Sequence, residues 1–178
     1  MAPLTILEHP DARLRMPCAP VTAFDAELAR LVEDLLDTLE AAGGIGLSAP
    51  QVGDLRRVSV MDLAGDRAAP EVFVNPEIVA RRRWGVVEES CLSVPGVVGN
   101  VLRATRVRVR AVDAAGEPFE RELEDMHAVC LQHELDHLNG KLFLARLSPV
   151  RRLRLRLEDA RARRRAAAAD REAGRRPA

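Results

Sequence analysis

Asp125-Met126-His127-Ala128-Val129-Cys130-Leu131-Gln132-His133-Glu134-Leu135-Asp136-His137-Leu138-Asn139-Gly140 is the stretch on which the fold turns. Its apolar residues recur at helical spacing, and Gly140 stands where such a helix would stop. The preceding segment has a different period. Between Arg103 and Val112, Val107, Val109 and Ala111 alternate with Arg106, Arg108 and Arg110, which predicts a half-buried strand. Asp113-Ala114-Ala115-Gly116 turns it back into a second strand over Pro118 to Leu123. Hairpin followed by helix implies an α+β domain, mainly antiparallel sheets around a central buried helix.

Earlier in the chain, Leu28, Leu31, Val32, Leu35, Leu36 and Leu39 recur at three- and four-residue steps. They predict an N-terminal helix over Asp25 to Ala42, stopped by Gly43-Gly44. Arg57 to Leu63 and Val72 to Val74 predict short strands, the second ending at Asn75-Pro76. Pro149 opens a C-terminal helix with Leu153 and Leu157 on one face, expected to fray within Ala166 to Ala178. The expected organisation is a catalytic domain over residues 1–150 and a basic Arg/Ala-rich helix and tail over 151–178.

At 178 residues the chain is long enough for one domain with its own core. Cys18, Cys91 and Cys130 are odd in number and widely spaced, which speaks against disulfides and for a reducing compartment. No signal-peptide pattern and no apolar run of roughly 18–20 residues occurs, so the chain reads as cytoplasmic with no membrane partner. The net charge of zero is uneven: residues 151–178 hold eleven arginines against four acids, leaving residues 1–150 with a surplus of seven acids. A basic tail on an acidic body fits a polyanionic partner such as nucleic acid, or a solvated helix in a chain rich in Arg and Ala throughout.

His133 and His137, four apart, fall on one helix face and can share a metal ion, with Glu134 beside them to handle the protons of a water. A catalytic site of this kind needs three protein ligands and an open position. Leu138-Asn139-Gly140-Lys141 offers no third histidine, which counts against a general zinc peptidase, and His127 points to another side of the helix. A thiolate from Cys91, in Glu89-Ser90-Cys91-Leu92-Ser93, would complete the set. Read alone, Cys91 fits a small buried hydrophobe better than a ligand. Likewise Gly43-Gly44-Ile45-Gly46-Leu47-Ser48-Ala49-Pro50-Gln51 alone reads as a helix stop and a loop that permits close backbone approach.

Taken in series, Gly44-Ile45-Gly46-Leu47-Ser48-Ala49-Pro50-Gln51, Glu89-Ser90-Cys91-Leu92-Ser93 and Gln132-His133-Glu134-Leu135-Asp136-His137 resemble the three motifs of the peptide deformylases. The resemblance spans roughly residues 4–150. It implies removal of the formyl group from the N-terminal formyl-methionine of nascent chains, releasing formate. By the same resemblance Cys91, His133 and His137 are the metal ligands, with Fe²⁺ the usual ion and Zn²⁺, Ni²⁺ or Co²⁺ able to replace it. Glu134 matches the general acid/base, the Gln51 amide and the Leu92 N–H the oxyanion donors, and Gly46 a backbone contact to substrate. Hydroxide, available near neutral pH because the ion lowers the pKa of water, would attack the formyl carbon. By position, Ile45, Val87, Val129 and Cys130 are expected to form the pocket for the methionine side chain. Ser90 stands where the family usually has Gly, and Val98 where many members have Arg. Glu89 and Arg103 are available as a supporting pair. The Arg-rich last helix is similar to the family's ribosome-docking helix, which implies contact with ribosomal RNA.

Overall fold

The computed structural model describes residues 3–65, 67–155, 157–158 and 160–161. Five antiparallel strands form one sheet in chain order: β1 (Gly46–Ser48), β2 (Val58–Met61), β3 (Glu71–Glu89), β4 (Gly99–Val112) and β5 (Pro118–Glu124). Helix α1 (Ala26–Ala42) precedes the sheet and α2 (Asp125–Leu138) follows it, and residues 149–155 are helical. The fold is α+β, as expected.

Helix α1 forms where its periodicity predicts. The Asp25 carboxylate accepts the N–H groups of Glu27 and Leu28 at 3.0 Å each, and Gly43 closes the helix in the left-handed conformation (φ 64°). Its leucines pack on Leu47, Val58, Val60 and Val74 of the sheet. A second core lies between the sheet and α2, where Met61, Phe73, Val107 and Val109 meet Leu131, Leu135 and Leu138. In β4 the outward arginines pair across the strands, Arg106 with Glu122 and Arg110 with Glu120. A third cluster joins Leu14, Val94, Val101, Phe143 and Leu147 beneath the loop that links β3 and β4.

One strand boundary differs from expectation. Asn75-Pro76 does not end a strand: β3 runs on to Glu89 across a register shift between Val74 and Glu77. Asn75 takes φ 50°, and its side chain bonds both the N–H and the carbonyl of Val21 at 2.8 Å. The turn chemistry is spent on a bulge tied to the N-terminal segment. The C-terminal helix opens at Pro149, but Leu153 and Leu157 are exposed and Leu155 makes the contact with the third cluster. Residues 162–178, and with them the expected frayed tail, lie outside the described residues.

Candidate active site

Helix α2 is buried from Ala128 to Leu138 and so carries polar residues into the interior. His133 and His137, one turn apart, bring their Nε2 atoms to 3.2 Å. Cys91 follows directly on β3 in a turn closed by the Val94 N–H to the Cys91 carbonyl at 2.9 Å, and its Sγ lies 3.2 Å from Nε2 of His137. The three donor atoms all lie within 4.8 Å of one another.

This donor set fits a metal ion. Bonds of about 2.0–2.1 Å to a tetrahedral ion would set its two nitrogens about 3.3 Å apart. Nδ1 of His133 is 2.9 Å from Oε2 of Glu89. A carboxylate only accepts, so Nδ1 carries the hydrogen and Nε2 keeps a lone pair for the ion. Burial works against charge on His133, but its contacts with Cys91 and Glu89 outweigh that and raise its pKa to about 10. Burial and the neighbouring His133 push His137 well below the usual imidazole range. Two buried imidazole nitrogens and one sulfur thus converge, and a cation placed among them would satisfy all three donor atoms.

Glu89 is held in turn. Arg103 donates from Nε and Nη2 to its two oxygens at 2.6 and 3.0 Å, and from Nη1 to Asp136 Oδ2 at 2.7 Å. Arg146 closes on the other side of Asp136. Burial raises the Glu89 carboxyl, yet the His133 and Arg103 bonds hold it at about 2. A chain of charge-assisted bonds therefore fixes His133 from behind.

Glu134 faces a cavity of ≈ 530 Å³ that opens beside the three donors. Burial pushes its carboxyl up, opposed by the charge on His133 and by Ser48, whose hydroxyl donates to Oε2 at 2.6 Å. The other oxygen faces Gly46: a Cβ there would stand 2.6 Å from Oε1 and 2.6 Å from Cys130 Sγ, so only glycine lets the backbone pass. Gln51 is oriented by the Ser48 N–H, which donates to its Oε1 at 2.9 Å. Its Nε2 then points to Ser93 Oγ at 3.1 Å and towards Cys91 Sγ at 3.9 Å.

Ile45, Gly46, Gln51, Cys91, Leu92, Val129, Cys130, His133 and Glu134 all line this cavity. Val87 does not. It packs against the third cluster with Leu14 and Phe143, while both Glu88 and Glu89 line the cavity. Met126, one turn before Val129 and Cys130, supplies the apolar wall instead. Helical spacing could have found Met126; Ser48, Ser93 and Asp136 join the site only through long-range contacts. Ser90 is exposed at the cavity rim and has no positive φ, so its backbone makes no demand for glycine. Cys18, Cys91 and Cys130 are free, and the His127 side chain is half exposed beside Glu71.

A sequence profile of the polypeptide deformylase family matches residues 3–153. A peptide deformylase of Chromobacterium violaceum is 49% identical over 156 residues, covering 88% of this chain and 93% of the relative. One from Alkalilimnicola ehrlichii is 51% identical over 157 residues, covering 88% of each. The crystal structure of a peptide deformylase from Legionella pneumophila superposes with a TM-score of 0.83 at 46% identity, covering 99% of this chain and 100% of that one. A plant peptide deformylase structure gives a TM-score of 0.86 at 35% identity, covering 95% and 94%.

Proposed function

The chain belongs to the polypeptide deformylase family, enzymes that remove the formyl group from nascent peptides, and from that premise we propose how its own residues carry out the reaction. Cys91, His133 and His137 would hold one divalent ion, Fe²⁺ in the cell by family resemblance, with Zn²⁺, Ni²⁺ or Co²⁺ as substitutes. Such an ion lowers the pKa of water and polarises the formyl carbonyl. Glu134 takes the proton of the attacking water and passes it to the departing amine nitrogen. Ser48 holds its Oε2, which leaves Oε1 facing the cavity for that transfer. Negative charge growing on the formyl oxygen is met by the Gln51 amide and the Leu92 N–H, each such donor worth about 3–4 kcal/mol. The Gly46 backbone aligns the peptide, and Ile45, Met126, Val129 and Cys130 surround the methionine side chain.

The convergence of one thiol and two imidazole nitrogens beside a buried glutamate carries this reading. Its test is formate release from a formyl-Met peptide, assayed anaerobically with Fe²⁺. Absence of turnover with metal bound would overturn it. Glu134→Ala should keep the metal and lose at least about 10²–10⁴-fold in rate; loss of the metal instead would reverse the assignment of roles.

Residues 1–150 are the catalytic unit in this reading, acting in the cytoplasm, and the basic segment 151–178 docks on ribosomal RNA. Its surplus of seven positive charges supports that partner. No helix of the described residues is long and apolar enough to cross a membrane. Deleting 151–178 should weaken ribosome binding in a salt-dependent way and leave peptide turnover intact; unchanged binding would remove the RNA role.

A further inference from the structure

A second cleft, of ≈ 300 Å³, lies on a different face of α2, between Gln132, Asp136 and Asn139 on one side and β3 and β4 on the other. Arg57, Arg81, Lys141 and Arg146 line it, against the carboxylates of Glu77 and Asp136. Asp136 is already shared by Arg103 and Arg146. Arg57 donates only to neutral oxygens, the Leu138 and Pro76 carbonyls at 3.4 and 3.2 Å and Asn139 Oδ1 at 3.0 Å, and burial lowers its pKa. Neither Arg57, Arg81 nor Lys141 forms an ion pair among the described residues. That is unexpected in a body with a surplus of seven acids.

Trp84 stands at the rim of this cleft, 59% exposed and directly after Arg81-Arg82-Arg83. Leu102, the cross-strand partner of Val86, is exposed beside it. Unpaired cations next to an exposed indole match the chemistry of single-stranded nucleic acid, whose phosphates take the cations and whose bases stack on the ring. Glu77, which makes no side-chain hydrogen bond among the described residues, offers an acceptor for a ribose 2′-hydroxyl.

We propose that this cleft binds single-stranded RNA, with a phosphate held by Arg57, Arg81 and Lys141 and a neighbouring base stacked on Trp84. None of the side chains proposed to touch the formyl peptide lines this cleft, although Asp136 and Arg146 on its wall also belong to the charge chain behind His133.

Trp84 is the single tryptophan, and there is no tyrosine, so its fluorescence reports this cleft and not the tail. The metal-loaded full chain is titrated with a six-nucleotide single-stranded RNA. Expected is a saturable quench. Arg81→Glu with Lys141→Glu should weaken binding at least about tenfold and flatten the salt slope by about 0.7, the share of the one phosphate they hold, with formate release unchanged. Trp84→Ala should weaken binding of a labelled RNA by roughly five- to a hundredfold, and Trp84→Phe should retain it within a few-fold. The proposal is overturned by absence of a quench, by an equal quench with inorganic phosphate or a DNA hexamer, or by binding that ignores the charge reversal and vanishes only when Arg163, Arg164 and Arg165 are replaced.

Discussion

Arg103→Met tests whether the buried charge chain holds the metal helix to the sheet. Methionine keeps most of the stem volume and removes a guanidinium that is 1% exposed and bonded to Glu89 and Asp136. Asp136 keeps Arg146, but Glu89, itself 5% exposed, is left with His133 alone. One buried carboxylate thus loses its main partner, a change that typically destabilises by about 3–5 kcal/mol. At about 1–3 kcal/mol per molar urea, that moves the unfolding midpoint down by roughly 1–5 M. The pH dependence has a fixed sign. The carboxyl of Glu89 sits at about 2, below its ordinary 4.5. The stability it contributes is therefore complete above about pH 4.5 and is lost as pH falls towards 2. The wild type loses its advantage in that window, so the gap between the two proteins should narrow. Urea unfolding of both, stripped of metal by a chelator, at neutral pH and near pH 3 measures this. A neutral-pH loss below about 1 kcal/mol, or a gap that widens in acid, would refute the reasoning. With Glu89 loosened, metal affinity should also drop about 10–100-fold, read by competition with a chelating dye.

Ser48→Ala removes a hydrogen bond that lowers the Glu134 pKa, so the acid limb of kcat/KM should move to higher pH. A limb that stays in place would detach Ser48 from the base. Gly46→Ala drives a methyl group against Glu134 Oε1 and Cys130 Sγ; urea unfolding should show a loss of about 1–3 kcal/mol, and formate release should fall steeply. Ser90→Gly should change stability by less than about 1 kcal/mol and leave turnover near that of the wild type, because Ser90 is exposed with an ordinary backbone.

Local periodicity carried much of this molecule. The leucine spacing of α1 with its Asp25 cap, the arginine alternation of β4 and the Asp113–Gly116 turn each encode their element within a few residues. The His133–His137 step is of the same kind, since helix geometry alone sets i and i+4 on one face. Asn75-Pro76 misled because a turn signature states what the backbone does and not whether pairing resumes beyond it. Val87 lies outside the cavity because the Leu14 and Phe143 cluster covers it, a long-range packing that its place in the strand does not encode; Glu89, on the same strand face, does line the cavity.

The helices, the hairpin and the pairing of His133 with His137 are encoded locally, because they follow from bonds and contacts a few residues apart. Packing brought together the residues that motif resemblance had marked, and added Ser48, Ser93 and Asp136. Cys91 reaches His137 across 46 positions, Ser48 reaches Glu134 across 86, and Arg103 links Glu89 on β3 to Asp136 on α2. Such meetings depend on how the sheet packs against α2, and burial there makes each polar partner obligatory, since an unpaired charge in that core would cost several kcal/mol.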